Sequence, residues 1–587
     1  MASRKAASRR PKKAPEPTRL DAVRALMSEA RVDALLIRST DRYLNEYVPV
    51  DLSTRVWVSG FSGSAGEVLL THDAAYLAVD GRYWLQARTD MDPKVWTVLE
   101  VPLGQALDQA LVELLEELGD AASADGRPLK VGFEPDRLTA DQLRRFRDQL
   151  PDQEWVPLSP SPVEFARGDT LPSPRPAGIR CVDEARAGRT VADKLELLGD
   201  LLDAAGAEAL LVQRLDELMW LANLRGTELP YQATFGAVGL ATRERLLIGL
   251  ERPEEVPEAV VRARPDIDFV GEPELWRSIG GRRGYRKIGF DGANNTVAAE
   301  LRIRGSRAKI IPMQTPLQPI RARKLPSELD AMQDAFRRAD AVVARSIDWA
   351  CKEVDAGRRV TEKSFADTVE RNFMDAGATG LSFKVISAAG KNAAQIHYGT
   401  PNPRKPFKPG ELVLLDTGAY FEDGYATDLT RTFLVGGKRA KATDEQRWLY
   451  TLVLKAALAG MRAVLPIGAR GSQLDAIIRA PIWAEGLDYR HGTGHGVGVN
   501  VHEFPPRVGP HTQCVLEVGH VFSIEPGIYL EGSGGIRIEN LCTLEAGPEG
   551  FMRVRPMTFS PLDRRLIEPR MLGPDEKSFL KWFQAQS

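Results

Sequence analysis

The sequence has few of the residues that mark a secreted or membrane-spanning protein. Among its 587 residues there are only four cysteines, which stand far apart and form no CxxC pair. This scarcity favours a reduced, cytoplasmic protein over a disulfide-stabilised one. No run of about 18 apolar residues occurs, so we expect no membrane span.

A surplus of charge of either sign is also lacking. Lys and Arg together number 78 and Asp and Glu 80, which gives a formal net charge of −2 at pH 7. We therefore expect neither nucleic acid nor an anionic membrane as a partner. A basic stretch occupies residues 1–18 and is rich in Pro and Ala. We predict a disordered tail there, because it has too few apolar residues to form a core.

The length predicts several domains, and repeated segments indicate where two of them lie. Segments 33–41 and 208–216 resemble each other, as do segments 130–145 and 287–302. Each begins like a strand and continues into a polar turn, and the second pair then has helical periodicity. We predict two related α/β domains, 19–172 and 173–321, joined near the Pro- and Gly-rich TLPSPRPAG. Chance similarity between short strand–turn units is the alternative.

A third domain is predicted at 322–587, where a long segment after Pro319 has apolar residues at helical spacing. Six of the seven histidines fall in this domain. Three of them occur in RHGTGHGVGVNVHE, residues 490–503, with glycine at every second position from 492 to 498. The concentration of imidazoles directs the search for chemistry to this domain.

The glycines of this stretch argue against a zinc-binding helix of the H-E-x-x-H type, because each costs about 0.8–1.0 kcal/mol in a helix relative to alanine. Their alternation instead predicts a strand with His491 and His495 on one face. The other face is bare backbone, which another segment can approach closely. At about 3.3 Å per residue the two histidines would stand roughly 13 Å apart, so we expect at most one to bind a metal ion.

Two predicted hairpins each bring a pair of carboxylates together. ELVLLDTGAYFEDGYATDLTRTF has a turn signal at 422–424, and reflection of the chain about residue 422 places Asp416 opposite Asp428. In FSIEPGIYLEGSGGIRIEN, the glycine-rich turn places Glu525 opposite Glu539. Cross-strand neighbours are about 4.5–5.5 Å apart, so ionised pairs would repel one another. Exposure, or an ion pair with a nearby arginine, is the alternative for either pair alone.

The two hairpins together with the histidine segment favour a metal cluster. Carboxylates with a single histidine suit paired manganese, cobalt or zinc ions, whereas a structural zinc site would favour cysteine. Two such ions about 3.5–4 Å apart can hold a hydroxide that attacks a carbonyl carbon. The sequence therefore predicts hydrolytic chemistry at a dinuclear centre.

Several segments resemble the signature blocks of the aminopeptidase P family, the Xaa-Pro aminopeptidases of the pita-bread metallopeptidase superfamily. In the third domain these are LLDTGAYFEDGYATDLTRTF, HGTGHGVGVNVHE, FSIEPGIY and GGIRIEN. This chain also resembles the remaining regions of the long, three-domain form of the family, in the segments STDRYLNEY, VSGFSGSAGEVLL, AVDGRYWLQA, LDELMWLANLRG and PMTFSPLDRRLIEP. The resemblance covers almost the whole chain. It implies two creatinase-like α/β domains followed in the chain by an α+β pita-bread (creatinase/aminopeptidase-like) catalytic domain.

The resemblance implies five ligands for two metal ions. They are Asp416, Asp428, His495, Glu525 and Glu539. Asp428 and Glu539 would bridge the two ions, and Glu525 would also act as the general base. Asp416 would complete the coordination of one ion, and His495 with Glu525 that of the other.

The resemblance also implies roles for three further histidines and one arginine. His397 and His502 would be catalytic: His397 would contact the substrate carbonyl oxygen or the tetrahedral intermediate, and His502 would shuttle a proton or contact the oxyanion. His491 would line the substrate pocket. Arg537 would brace a carboxylate and contribute to substrate binding.

The implied activity is release of the N-terminal residue from peptides with proline in the second position, by attack of a metal-bridging hydroxide. Two divalent ions are implied, with manganese favoured over cobalt or zinc, in a cytoplasmic homodimer. One alternative is a prolidase-type Xaa-Pro dipeptidase. The other is a non-catalytic binding protein of the same fold, although such proteins typically lose metal ligands that are all present here.

Two loops carry further expectations. The interval from Asp416 to Asp428 is one residue longer than is usual in the family, which predicts a bulge or a longer turn. The glycine-rich FSGSAG at 61–66 lacks the lysine of a phosphate-binding P-loop, so we predict a tight turn there.

Overall fold

The protein is described by a computed structural model that covers residues 18–124, 126–168, 176–437 and 440–586. The predicted tail lies outside these residues except for Thr18. That residue is the N-cap of the first helix rather than part of a disordered segment. No helix within the described residues is both long and apolar enough to cross a bilayer.

Threonine residues cap the N-termini of many of the helices. In each case the hydroxyl oxygen accepts a hydrogen bond from the main-chain N–H three residues further on. These N-caps are Thr18, Thr139, Thr190, Thr296, Thr361 and Thr443. A cap of this kind contributes about 1 kcal/mol to helix stability, so the helix starts are fixed locally by the sequence.

The first region is a mixed sheet flanked by helices. Its strands are β1 (Ala34–Ile37), β2 (Glu67–Thr71), β3 (Ala75–Asp80), β4 (Thr97–Val101), β5 (Lys130–Phe133) and β6 (Glu154–Pro157). Its helices are α1 (Arg19–Ala30), α2 (Thr54–Ser59), α3 (Trp84–Asp90), α4 (Leu107–Ala124), α5 (Ala140–Gln149) and α6 (Pro162–Arg167). The strand order is β4-β3-β2-β1-β5-β6. The β1–β2 and β2–β3 pairs are antiparallel and the other pairs are parallel.

The second region repeats this architecture. Its strands are β7 (Arg180–Cys181), β8 (Ala209–Val212), β9 (Leu224–Arg225), β10 (Val238–Ala241), β11 (Leu246–Leu250), β12 (Ile267–Gly271), β13 (Lys287–Phe290) and β14 (Lys309–Pro312). Its helices are α7 (Glu184–Ala187), α8 (Val191–Ala205), α9 (Leu215–Ala222), α10 (Glu258–Ala263), α11 (Glu272–Ser278), α12 (Val297–Arg304) and α13 (Gln318–Ala322), with a 3₁₀ turn at Pro253–Glu255. The main sheet has the order β12-β11-β10-β8-β13-β14 and the same pattern of strand directions. This shared topology confirms the prediction of two related α/β domains.

The repeated sequence segments form corresponding parts of the two sheets. The first pair contains β1 and β8, and the second contains β5 and β13 with the helices that follow them. The starts of α5 and α12 meet through reciprocal hydrogen bonds. Ala140 N–H donates to Asn295 O at 3.1 Å, and Val297 N–H donates to Leu138 O at 2.9 Å. The two regions are therefore related by a local twofold axis at this contact.

The third region combines long helices with two larger sheets. Its helices are α14 (Pro326–Asp355), α15 (Glu362–Asp375), α16 (Asp444–Met461), α17 (Gly471–Trp483) and α18 (Pro574–Gln584), with 3₁₀ turns at Gly390–Ala394, Arg564–Leu566 and Pro569–Met571. Its strands are β15 (Gly380–Leu381), β16 (Ile386–Ala389), β17 (Leu412–Thr417), β18 (Ala419–Tyr420), β19 (Leu429–Leu434), β20 (Val464–Pro466), β21 (Gly494–Gly496), β22 (Glu503–Val508), β23 (Val521–Ile524), β24 (Gly527–Leu530), β25 (Gly534–Arg537), β26 (Asn540–Ala546) and β27 (Phe551–Pro556). The sheets are β16-β17-β19 and β20-β27-β26-β23-β21-β22. Helix α14 buries Met332, Phe336 and Val343 along one face, as the helical spacing predicts.

The first predicted hairpin has a different register from the one expected. Asp416 on β17 is opposite Thr430 on β19, so the same register places Asp428 opposite Gly418. The same register continues to a bridge between Tyr420 and Ala426, so the turn occupies 421–425 and is centred on residue 423 rather than 422. Strand β18 also pairs with β15. The predicted Asp416–Asp428 pairing is therefore wrong by two residues. The two carboxylates still share one face of the sheet as diagonal neighbours.

The second predicted hairpin has the expected register. Ile524 on β23 is opposite Asn540 on β26, and Gly527 on β24 is opposite Arg537 on β25. Both ladders place Glu525 opposite Glu539, at the point where one pair of strands gives way to the other.

The glycine–histidine stretch is not the single strand that was predicted over 490–503. Strand β21 covers only three residues, and a register shift follows His495. His491 lies before the strand, but its ring still faces the same carboxyl group as that of His495, with Nδ1 3.9 Å from Oε2 of Glu525. The close backbone approach is present, because a Cβ on Gly494 would lie 1.9 Å from the carbonyl oxygen of Ser523 on β23.

Candidate metal centre

The five predicted ligands lie at strand positions that converge in the third region. Asp416 is on β17, Asp428 precedes β19, His495 is on β21, Glu525 follows β23 and Glu539 precedes β26. The side chains of Asp416, Asp428 and Glu539 are buried, and those of His495 and Glu525 are partly buried. Sequence positions up to 123 residues apart are thus brought to one place by the two sheets.

Distances within the cluster are short. Ligand atoms of Asp428, His495 and Glu539 all lie within 4.8 Å of one another. Nε2 of His495 is 3.5 Å from Oδ2 of Asp428 and 3.5 Å from Oε1 of Glu525. Asp416 belongs to the same cluster, because its charge raises the pKa values of Asp428 and Glu539. The structure therefore brings all five residues together.

The cluster places four carboxyl groups close together, and bound cations would stabilise their negative charges. Burial, followed by the charges of Glu539 and Asp416, raises the pKa of Asp428 well above its usual range. Burial and Glu539 likewise raise the pKa of Glu525, and burial and Asp416 raise that of Glu539 to about 7. No described residue donates a hydrogen bond to the buried Oδ1 of Asp416. Carboxylates in this situation are stabilised by bound metal ions, so the donor set fits divalent cations that accept oxygen and imidazole ligands.

His495 presents an unprotonated nitrogen to the cluster. Its Nδ1 lies 3.2 Å from the carbonyl oxygen of Gly496, which can only accept, so Nδ1 carries the ring proton. Nε2 then faces Asp428 and Glu525 with a free lone pair. Burial lowers the pKa of His495 to about 3, which keeps the ring neutral. A neutral imidazole whose other nitrogen is held by a carbonyl group is the usual form of a metal ligand.

Arg537 anchors one side of the cluster. Its Nη2 donates to Oδ2 of Asp416 at 2.6 Å and its Nε to Oγ1 of Thr430 at 3.0 Å. Its Nη1 donates to Ile396 O at 3.2 Å and to the hydroxyl of Tyr529 at 2.8 Å. Four of the five guanidinium N–H groups are thus used within the protein. This supports the bracing role expected for Arg537, whereas its contribution to substrate binding stays a prediction.

His491 is held by the same hydrogen-bond chain. Its Nδ1 lies 2.7 Å from Gly492 O and its Nε2 lies 3.0 Å from the hydroxyl of Tyr529. Because the carbonyl can only accept, Nδ1 carries the proton and Nε2 accepts from Tyr529. Both ring nitrogens are therefore engaged within the protein, in agreement with the expectation that His491 is not a metal ligand.

Two residues of the first region, Glu46 and Tyr83, contact two further histidines of the site. Nδ1 of His502 lies 2.6 Å from Oε2 of Glu46, and Nδ1 of His397 lies 2.8 Å from the hydroxyl of Tyr83. Burial opposes ionisation of Glu46, but the charge and hydrogen bond of His502, together with neighbouring charges such as that of Arg82, outweigh burial and lower the pKa of Glu46 to about 2. The rings of His502 and His495 meet edge-on with centroids 4.3 Å apart. His502 therefore lies directly beside the proposed ligands.

Glu46 and Tyr83 were not identified by the sequence analysis. They lie 456 and 314 residues from the histidines that they contact. Their one signal in the sequence is that they occur in STDRYLNEY and AVDGRYWLQA, two segments on which the family resemblance rests. No local periodicity predicts contacts over such separations.

A buried ion network ties the second region to the segment that carries His502. Glu503 pairs with Lys324 at 2.5 Å and with Arg321 at 3.5 Å, and Arg321 pairs with Asp216 at 2.6 Å. All four side chains are at most 2% exposed, so solvent screens these charges little. The network fixes the start of β22 relative to the second region.

Comparisons with known proteins place the chain in a family. The sequence profile of metallopeptidase family M24 matches residues 330–546, and profiles of the creatinase/prolidase N-terminal domain match residues 19–167 and 170–328. Two creatinase-type domains followed by a converging carboxylate–histidine site define a pita-bread metallopeptidase. A protein of Metarhizium robertsii described as "Probable Xaa-Pro aminopeptidase P" is 33% identical, covering 95% of this chain and 93% of its own. The chain belongs to the Xaa-Pro aminopeptidase P family.

Two solved structures of the superfamily differ in how much of this chain they match. An X-prolyl aminopeptidase from Caenorhabditis elegans, described as a cytosolic enzyme with a di-nuclear active site, has a TM-score of 0.87 at 27% identity. The match covers 97% of this chain and 94% of that one. A Xaa-Pro dipeptidase from Bacillus anthracis has a TM-score of 0.54 at 27% identity, and the match covers 64% of this chain and 99% of that one. The aminopeptidase thus shares the whole architecture, whereas the dipeptidase lacks a counterpart for about a third of it.

These comparisons confirm the family resemblance and the predicted fold of two creatinase-type domains before a pita-bread domain. They also confirm the interpretation as a metal-dependent Xaa-Pro aminopeptidase at the level of the family and favour it over the prolidase alternative. The presence of all five predicted ligands in one cluster argues against the non-catalytic alternative.

Proposed function

We propose that the protein releases the N-terminal residue from peptides whose second residue is proline. The observation that supports this most directly is the convergence of four carboxylates and one neutral imidazole on a single buried site. Membership of the Xaa-Pro aminopeptidase P family supplies the substrate class. Peptides with penultimate proline are therefore the proposed substrates.

Two divalent cations are the proposed cofactors, with manganese favoured over cobalt or zinc. The residues proposed to hold them are Asp416, Asp428, His495, Glu525 and Glu539. When bound, such cations would polarise the scissile carbonyl group and lower the pKa of a water molecule. The absence of thiolate donors and the excess of carboxylates favour manganese among these metals.

Glu525 is the proposed general base. Its Oε1 accepts a hydrogen bond from Ser523 Oγ at 3.2 Å, which fixes the carboxylate beside His495. From this position it would take a proton from the attacking water and deliver it to the proline nitrogen. That nitrogen carries no hydrogen in the peptide, so it must gain a proton to leave as an amine.

His397 and His502 are the proposed partners of the substrate carbonyl oxygen. Burial, followed by the charges of Arg82 and Arg537, lowers the pKa of His397 well below its usual range. A neutral, partly buried imidazole is suited to donate a hydrogen bond to an oxygen that gains negative charge during the reaction. His491 would line the adjoining pocket, where its ring is held by Tyr529.

Three further assignments complete the proposal. The domain limits are 19–172, 173–321 and 322–587, the assembly is a homodimer and the location is the cytoplasm. The description of the Caenorhabditis elegans relative as cytosolic supports the last of these. The resemblance to the long, three-domain form supports the second.

A paired peptide assay tests the activity. The manganese-loaded protein should release alanine from Ala-Pro-Ala and leave Ala-Ala-Ala intact, and Glu525→Gln should abolish the release. Cleavage of Ala-Pro but not Ala-Pro-Ala would instead indicate a prolidase. A protein with two bound metal ions that cleaves neither peptide would refute the proposal.

A further inference from the structure

Tyr83 connects the first region of the chain to a histidine of the proposed active site. It directly precedes α3 and is 2% exposed. Its hydroxyl lies 2.8 Å from Nδ1 of His397, and the two rings meet edge-on with centroids 5.3 Å apart. The mechanism proposed above makes no use of this hydroxyl.

The glycine-rich segment 61–66 holds the same hydroxyl from the other side. The main-chain nitrogen of Ser64 lies 3.3 Å from the Tyr83 oxygen, and Ser64 Oγ lies 2.7 Å from it. Gly63 permits this approach, because a Cβ there would lie 2.8 Å from Cδ1 of the tyrosine ring. Segment 61–66 therefore packs against the ring and the hydroxyl of Tyr83.

Tyr83 is also fixed relative to the third region. A Cβ on Gly81 would lie 2.7 Å from the carbonyl oxygen of Arg490, so the turn before Tyr83 packs directly on that backbone. The guanidinium group of Arg490 lies over the ring of Trp84 at 4.9 Å. These contacts flank Tyr83 in the chain and pack its backbone against the third region.

The donors around the Tyr83 hydroxyl provide an arrangement in which its proton points to His397. The main-chain N–H of Ser64 can only donate, and its hydroxyl has a proton of its own to give to Tyr83. When the Ser64 hydroxyl donates to Tyr83, the phenol proton is left for Nδ1 of His397. Because His397 is neutral, a ring that accepts at Nδ1 carries its own proton at Nε2.

We infer that Tyr83 is a positioning residue for the reaction. It orients His397 and keeps the ring proton on Nε2, from which it is donated to the carbonyl oxygen of the peptide under attack. The inference rests on the proposed function, in which His397 stabilises negative charge on that oxygen. The first region then takes part in catalysis through His397.

Turnover of Ala-Pro-Ala by Tyr83→Phe tests this role. We expect kcat to fall about tenfold or more, as for loss of a well-placed donor to the reacting oxygen, with KM changed less than about threefold. Metal content and melting temperature should stay close to those of the unmodified protein. Tyr76→Phe is the matched control, because Tyr76 is a half-buried tyrosine of β3 in the same region of the chain, and it should leave kcat unchanged.

A double-mutant cycle separates this role from a general effect on structure. In a His397→Asn background, Tyr83→Phe should cause no further loss, because the hydroxyl acts through His397. Equal fold-losses in both backgrounds, or a Tyr83→Phe protein with full kcat, would overturn the inference.

A spectroscopic measurement tests the inference independently of turnover. The chain has only seven histidines, so the ¹⁵N signals of His397 can be assigned by their disappearance in His397→Asn. In protein loaded with diamagnetic zinc we expect the Nε2–H tautomer, and Tyr83→Phe should change its signals. A proton on Nδ1 would overturn the inference even in an active enzyme. The Nε2–H tautomer in a protein without peptidase activity would instead refute the proposed function.

Discussion

Removal of the metal ions should make the stability of the third region depend on pH. Without cations, burial and neighbouring carboxylates raise the pKa of Glu539 from its usual 4.5 to about 7. A carboxyl group whose pKa is raised in the folded protein binds its proton more tightly there than in the unfolded chain. Folding stability is then highest at low pH and falls as the pH rises from about 4.5 through 7.

The size of the effect follows from that pKa. Each pH unit between the unfolded and folded values is worth about 1.4 kcal/mol, so Glu539 alone costs on the order of 3 kcal/mol at pH 8. Asp428 and Glu525 act in the same direction, because their pKa values are also raised. For a domain of this size, about 3 kcal/mol corresponds to a melting temperature lower by roughly 6–12 °C. Bound divalent cations should remove this dependence by compensating the carboxylates.

Thermal unfolding of chelated and manganese-loaded protein between pH 5 and 8 measures the effect. We expect the melting temperature of the chelated protein to fall across this range and that of the loaded protein to stay nearly constant. Glu539→Gln removes one titrating group, so its chelated form should depend less on pH. A chelated protein with a constant melting temperature would show that the carboxylates are not packed together as described.

Three further substitutions test separate parts of the site. Glu525→Gln should lower kcat by roughly 10²–10⁴-fold while the fold is retained, because it removes the proposed general base; circular dichroism and peptide assays check this. Arg537→Met should weaken metal binding about 10–100-fold in a calorimetric titration, because Asp416 loses the donor that orients it. Arg321→Met should destabilise the protein by about 3–5 kcal/mol in thermal unfolding, because it leaves Asp216 and Glu503 buried without this partner. Adding Asp216→Asn should recover part of that loss, and a double variant that is less stable than Arg321→Met would contradict the proposed network.

The architecture was predictable where the signal is local or repeated. The repeated segments contain β1 and β8, which occupy equivalent places in their sheets, so two short similarities were enough to indicate a duplicated domain. The Glu525–Glu539 register was predictable because the turn is glycine-rich and both of its strand pairs keep one register. The Asp416–Asp428 register was not, because the turn is centred on residue 423 rather than 422, and a shift of one residue in the centre of a turn moves every cross-strand partner by two.

The site was predictable only as far as the five residues proposed as its ligands. Asp416, Asp428 and Glu539 stand at strand ends whose apolar patterns are visible in the sequence. The groups that contact His502 and His397 were not predictable in this way, because Glu46 and Tyr83 belong to another region of the chain. Such contacts depend on how regions dock, which the periodicity of either segment does not specify.

Metal content and turnover measured on the same samples test the central claim most directly. The claim is that five side chains hold two divalent cations at one catalytic centre. Manganese titrated into chelated protein should saturate at two ions per chain, with release of alanine from Ala-Pro-Ala appearing as the sites fill. Asp428→Asn, at the middle of the cluster, should lose both metal binding and turnover. Full turnover by that variant, or by protein from which all metal has been removed, would contradict the account.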